Sequence, residues 1–153
     1  MKILVSACLL GENCKYSGGN NYNQAVCDFA RGHRVVLVCP EVLGGLPTPR
    51  CPAEIVQGVV TNKEGINVDR EFRAGAAKAL AIAKENGVEL AILQSRSPSC
   101  GVKEIYDGTF SGTKIPGQGV FAKMLMDEGV RVLDAGELPK IILKNEDGKC
   151  QSD

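Results

Sequence analysis

The sequence has no excess of either charge. Its 153 residues carry 18 Lys plus Arg and 18 Asp plus Glu, a formal net charge of zero. That balance provides no electrostatic footprint for nucleic acid or an anionic membrane. No apolar run approaches the ~18 residues that a membrane helix needs. Histidine occurs once, at His33, which argues against a His-dependent nucleophilic triad. Cys-x-x-Cys pairs are missing although there are seven cysteines. The local ligand spacing of zinc fingers and ferredoxins is therefore absent. An odd cysteine count also argues against a disulfide framework. Tryptophan is absent too, whereas Gly is abundant at 18.

What is present begins with Val5-Ser6-Ala7-Cys8, which mimics a lipoprotein cleavage site. The apolar run before it is only Ile3-Leu4-Val5, and a signal peptide needs ~7–15 apolar residues. The segment reads as a strand, and the expected location is the cytoplasm. Seven cysteines in a reducing compartment make metal binding or thiol chemistry the leading question.

Apolar runs at Lys2–Leu9, Arg34–Val38, Val88–Gln94 and Val130–Leu133 read as buried strands. Asn23–Arg31 reads as a short helix closed by Gly32. The strongest helix is Asn67–Asn86, with Phe72, Ala76, Ala79, Leu80 and Ala83 on one face. Asn67 is its expected N-cap, and Asn86-Gly87 its left-handed stop. Val120–Glu128 reads as a helix closed by Gly129. Pro40–Pro52 holds four prolines and a Gly pair, which exclude regular structure. Ser95–Gly119 reads as a long loop with a small hairpin around Asp107-Gly108. Alternating strands and helices imply an α/β fold, a single-domain, Rossmann-like three-layer sandwich around a mostly parallel sheet of about four strands. The domain is expected over 1–143, with a polar tail at 144–153.

In parallel sheets, ligands bind beyond the carboxyl ends of the strands. Cys8 and Cys39 end the first two strands, and Cys100 follows the third. Three thiols would thus converge on one sheet edge. Thiolates suit zinc, copper(I) and iron–sulfur clusters, and three of them leave an open position where chemistry happens. The bland alternative is that these cysteines simply pack. Glu41, two residues beyond Cys39, and Ser97 and Ser99, just before Cys100, add a carboxylate and hydroxyls that can activate water or transfer protons. Their bland readings are a solvated or helix-capping charge and turn chemistry. Gly117-Gln118-Gly119 before a helix is either an anion cradle or a turn, and the turn is the default.

Several blocks together resemble one family. They are Ser6-Ala7-Cys8-Leu9-Leu10-Gly11 with Cys14-Lys15-Tyr16; Cys39-Pro40-Glu41 with Gly44-Gly45-Leu46, Pro49-Arg50 and Pro52-Ala53-Glu54-Ile55; Ser97-Pro98-Ser99-Cys100-Gly101 with Ile105-Tyr106-Asp107-Gly108-Thr109-Phe110; and Gly117-Gln118-Gly119-Val120. Over residues 2–134 the chain is similar to the thiouracil desulfidases, long catalogued as a domain of unknown function. The resemblance implies a [4Fe-4S] cluster with one open iron, held by Cys8, Cys39 and Cys100. It implies non-redox removal of sulfur from a thiolated pyrimidine, giving the oxo base and hydrosulfide. Glu41 would be the acid/base that activates water, and Ser97 would position or protonate the substrate. The expected partner is a small thiolated heterocycle rather than nucleic acid or membrane, with the protein a monomer or weak homodimer.

Two other readings stay open. One is a non-catalytic metal-binding protein, with zinc or a cluster fixing three loops. The other is a metal-free enzyme using Cys8 or Cys100 as nucleophile. Cys14 is the strongest rival ligand and otherwise packs. Cys27 is expected in the core, Cys51 as an exposed thiol and Cys150 without a role. Arg50 reads as an anion contact or a structural partner of Glu54. His33 is expected to be a surface turn residue. The chain departs from the family's common pattern at Ser17, Gln94 and Phe121, all expected near the pocket.

Overall fold

The computed structural model describes residues 1–138. The apolar N-terminal run forms β1 (Lys2–Ser6) and then tightens into a 3₁₀ turn at Ala7–Leu10, shorter than the strand read from sequence. Gly11, at φ 98°, ends that turn in a left-handed conformation that glycine adopts without strain. Helix α1 (Gln24–Ala30) follows, with the Asn23 side chain accepting from the Val26 amide. Next come β2 (Arg34–Val38) and a short α2 (Pro40–Leu43). The four prolines between Pro40 and Pro52 predict no regular structure here. Pro40, however, sits in the first helical turn, where its missing N–H has no helical partner to lose.

A hairpin of β3 (Ala53–Val56) and β4 (Val59–Asn62) has no counterpart in the sequence reading. Its signal was the two-residue turn Gln57-Gly58, both at positive φ, between β-branched residues. Helix α3 (Asp69–Glu85) starts after Val68. Asn67 accepts from the Asp69 amide instead of serving as N-cap, and Gly87 takes the expected left-handed stop. The chain continues through β5 (Leu90–Leu93), the hairpin β6 (Glu104–Tyr106) and β7 (Lys114–Pro116), α4 (Val120–Asp127) and β8 (Arg131–Asp134). The small hairpin lies where Asp107-Gly108 placed it.

The main sheet is parallel throughout, in the order β2-β1-β5-β8. Strand alternation divides the core into two layers. Leu4, Ala91 and Leu93 pack with Phe72, Ala76 and Ala79 of α3 and Phe121 and Leu125 of α4. Ile3, Val5, Leu90 and Ile92 pack with Val26 and Ala30 of α1. The result is an α/β sandwich with Rossmann-like layering. β2 departs from the expectation of burial: it is an edge strand, and Val35 and Leu37 are exposed. They share a face with Ile3 and Val5 by register, but the seven-residue α1 is too short to cover them. Phe121 of α4 is fully buried in the core with Leu4, Ala91 and Leu93, instead of lining a pocket. Among the described residues no helix is long and apolar enough to cross a membrane. The polar tail and Cys150 lie outside the described residues.

Candidate active site

A cavity of about 490 Å³ opens at the carboxyl ends of β1, β2 and β5. Three connections shape it. The 3₁₀ turn after β1 carries Cys8, whose carbonyl accepts from the Gly11 and Asn21 amides. Cys39 ends β2 in extended geometry, as the residue before a proline prefers, and Pro40-Glu41 begin α2. The turn Ser97–Cys100 follows β5. It is closed by the Ser97 hydroxyl, which accepts from the amides of Ser99 (3.0 Å) and Cys100 (2.9 Å).

Two glycine contacts hold these connections in place. A Cβ on Gly75 of α3 would overlap the Pro40 carbonyl oxygen, and one on Gly44 would overlap that of Glu71. Backbone thus packs on backbone where α2 crosses α3. Gly119 plays the same part for the Ser97–Cys100 turn, whose Ser99 carbonyl leaves no room for a Cβ there. The first amides of α4 donate to the Pro98 and Ser99 carbonyls. Those donors are consumed, so Gly117-Gln118-Gly119 is a turn and not an anion cradle.

The cavity wall holds Cys8, Cys39, Cys100, Glu41 and Ser97, the five residues singled out in the sequence. It also holds Cys14, Cys51, Asn21 and Gln94. Cys51 is half-buried rather than an exposed thiol, and Cys27 is half-buried on α1 rather than in the core. The six described cysteines are all free. Cys14's thiol hydrogen-bonds Cys39 and Cys8, and this brings both of those thiols down to about 7. The same contacts push Cys14 upward. Asn21 Nδ2 adds a donor 3.4 Å from Cys8 Sγ. Burial pushes Cys100 up to about 12, against the hydroxyls of Ser6 and Ser99.

Glu41 is the hub of the polar wall. Arg50 donates to its Oε1 from Nε (3.1 Å) and Nη2 (2.9 Å). The remaining Arg50 donors reach the Pro47 and Cys14 carbonyls and Thr48 Oγ1. Arg50 therefore holds Glu41 and not Glu54. Glu54 instead accepts from the amides of Gly108 and Phe110, pinning the β6–β7 loop beside the cavity. Glu41 Oε2 takes a hydrogen bond from Ser99 Oγ at 2.8 Å, with Ser97 Oγ farther away at 3.4 Å. Ser99 is thus the hydroxyl nearest Glu41, and Arg50, expected from the sequence to bind an anion or hold Glu54, is its ion-pair partner. His33 lies elsewhere, its ring tilted 33° to that of Phe29 at 5.0 Å between ring centres. Burial lowers its pKa.

The donor set suits a soft metal centre: several thiols, two of them close to ionisation at neutral pH, whose hydrogen-bond partners among the described residues are thiols, hydroxyls, an amide side chain and backbone. Among the described residues no three His, Cys, Asp or Glu side chains come together as ligands for one ion. Buried Cys100, with its raised pKa, is a poor nucleophile.

The 2-thiouracil desulfurase family model matches residues 3–137. YbbK, an uncharacterized protein of Bacillus subtilis (strain 168), is 42% identical over 92% of this chain and 99% of its own. A solved structure of TudS, a [4Fe-4S]-dependent thiouracil desulfidase, superposes with a TM-score of 0.84. It is 40% identical and covers 94% of this chain and 96% of its own.

Proposed function

This chain belongs to the 2-thiouracil desulfurase family, and from that premise we propose that it is an iron–sulfur-dependent desulfidase that converts a thiolated pyrimidine to the oxo base and hydrosulfide. The observation that carries the reading is the single cavity in which Cys8, Cys39 and Cys100 share a wall with Glu41. Those three thiols are assigned as ligands of a [4Fe-4S] cluster. When bound, a cluster with one unligated iron supplies a soft Lewis acid for the substrate's exocyclic sulfur and makes it a better leaving group.

The rest is the work of the polar wall. Arg50 fixes Glu41 through Oε1 and leaves Oε2 directed at the Ser97–Ser99 side of the cavity. From there Glu41 takes a proton from water as the water attacks the carbon that bears sulfur. Ser97 stands on the same wall to orient the substrate or return a proton. No oxidant or reductant is consumed. Reducing cytoplasm is the setting that suits the six free thiols of the described residues, and a small heterocycle, without nucleic acid, is the partner. The oligomeric reading is a monomer or weak homodimer.

The test is iron and acid-labile sulfide content, with a visible spectrum, on protein prepared without oxygen, followed by sulfide release from 2-thiouracil. About four irons and four sulfides per chain are expected. Cys8→Ser, Cys39→Ser and Cys100→Ser should each lose cluster and turnover. Glu41→Gln should keep the cluster and lose about 10²–10⁴-fold in kcat, as removal of a general base does. Zinc, or no metal after reconstitution, would overturn the assignment. A fully active Glu41→Gln would overturn the acid/base role.

A further inference from the structure

The serines beside Cys100 form a chain whose direction follows from donor counting. Each hydroxyl has one proton to donate and two lone pairs. Ser97 Oγ already accepts from the Ser99 and Cys100 amides, so its lone pairs are used and its proton is free to donate. Ser99 Oγ has Glu41 Oε2 at 2.8 Å and Cys100 Sγ at 3.7 Å, and its one proton goes to the nearer carboxylate oxygen. The Ser97–Ser99 contact, at 2.9 Å, must then run from Ser97 to Ser99. The order is Ser97 O–H to Ser99 O–H to Glu41 Oε2. Ser99 borders the cavity but is only 1% exposed, so its hydroxyl in the middle of the chain is shielded from bulk water. The direct span from Ser97 to Glu41, at 3.4 Å, is the longest of the three.

We propose that Ser99 is a proton relay between Glu41 and Ser97, a role that rests on the desulfidase reading above. In the forward reaction Glu41 Oε2 takes one proton from the attacking water, and the carbon–oxygen bond forms. The carbon–sulfur bond then breaks with its electron pair remaining on sulfur. The chain reverses: Ser97 delivers its proton to the departing sulfur, and the lone pair this frees on Ser97 Oγ takes the proton of Ser99 Oγ as Ser99 takes the one held by Glu41. The added hydroxyl loses its proton to solvent as the carbonyl forms. The sum is thiocarbonyl plus water to carbonyl plus hydrosulfide plus one proton, with nothing oxidised or reduced. Ser99 thereby lets one carboxylate act as base at the water and acid at the sulfur.

The test uses anaerobically prepared cluster-loaded enzyme with 2-thiouracil as the probe. Ser99→Ala should lower kcat about 10²-fold with KM, iron and sulfide content unchanged. The methyl leaves less room than the ~30 Å³ a water occupies, so water should not substitute. Adding Ser97→Ala to that variant should cost little more, because both break one chain. In the unmutated enzyme, the single-turnover rate should fall along a curve, not a line, as deuterium oxide replaces water, because several protons move together. This last measurement stands even if Ser99→Ala disturbs the cluster. Ser99→Ala with kcat near wild type, multiplicative effects of the two serine variants, or a linear deuterium dependence would each overturn the relay. If Glu41→Gln is also fully active, the desulfidase reading of Glu41 falls first; if only Ser99→Ala is active, the relay falls alone.

Discussion

At the residue scale, the Glu41–Arg50 pair decides the most. Its side chains are 14% and 7% exposed, so neither charge can rely on solvent if the other is removed. Breaking a buried pair by deleting one partner costs about 3–5 kcal/mol, mainly from the charge left behind. Arg50→Ala should therefore destabilise the protein by about that amount in urea unfolding. Glu41→Gln in the same background should recover part of the loss, since it removes the stranded carboxylate. If the double variant is the sum of the two single ones, the pair is not coupled. Arg50 also donates to the Cys14 carbonyl at 2.8 Å, so the same substitution loosens the loop that carries Cys14.

At the element scale, the site depends on how closely α2 lies on α3. Gly→Ala in a helix interior normally gains up to about 1 kcal/mol in propensity. At Gly75 the new Cβ would meet the Pro40 carbonyl, which is backbone and cannot rotate away. Overpacking of this kind costs about 1–3 kcal/mol, so the clash wins. Gly75→Ala should lower stability and also reduce iron content on reconstitution, because the displaced α2 carries Glu41 and follows Cys39 directly. A variant that gains stability and keeps its full iron content would show that the crossing tolerates a wider spacing. The hairpins illustrate the same dependence. Glu54 on β3 reaches across to the Gly108 and Phe110 amides, so β3–β4 and β6–β7 are joined next to the cavity by one side chain.

At the scale of the whole molecule, three strand ends far apart in sequence meet at one edge of the sheet. A cluster held there ties the three connections together, and binding that occurs only in the folded state adds to folding stability. Removing iron by chelation should lower the melting temperature, with each kcal/mol worth roughly 2–4 °C for a chain of this size. On the ligand assignment proposed above, the loss should be absent in Cys8→Ser protein. Equal melting temperatures with and without iron would mean that the connections are rigid on their own hydrogen bonds.

The sequence by itself determined the strands of the parallel sheet, the long helix α3 and the placement of Cys8, Cys39 and Cys100 beyond the strand ends. Each rests on local signals: apolar runs, helical spacing of Phe72, Ala76, Ala79 and Ala83, and glycine stops at Gly87 and Gly129. Ser97 and Glu41 were legible from their neighbours in the motifs. Only the tertiary structure decided that Arg50 holds Glu41 and not Glu54, that β2 is an exposed edge, that Phe121 belongs to the core, and that Ser99 lies between Ser97 and Glu41. Those facts depend on which loop lies across which. A hydroxyl 58 positions from a carboxylate in the chain carries no local mark of the 2.8 Å that separates them once β2 and β5 bring their ends together.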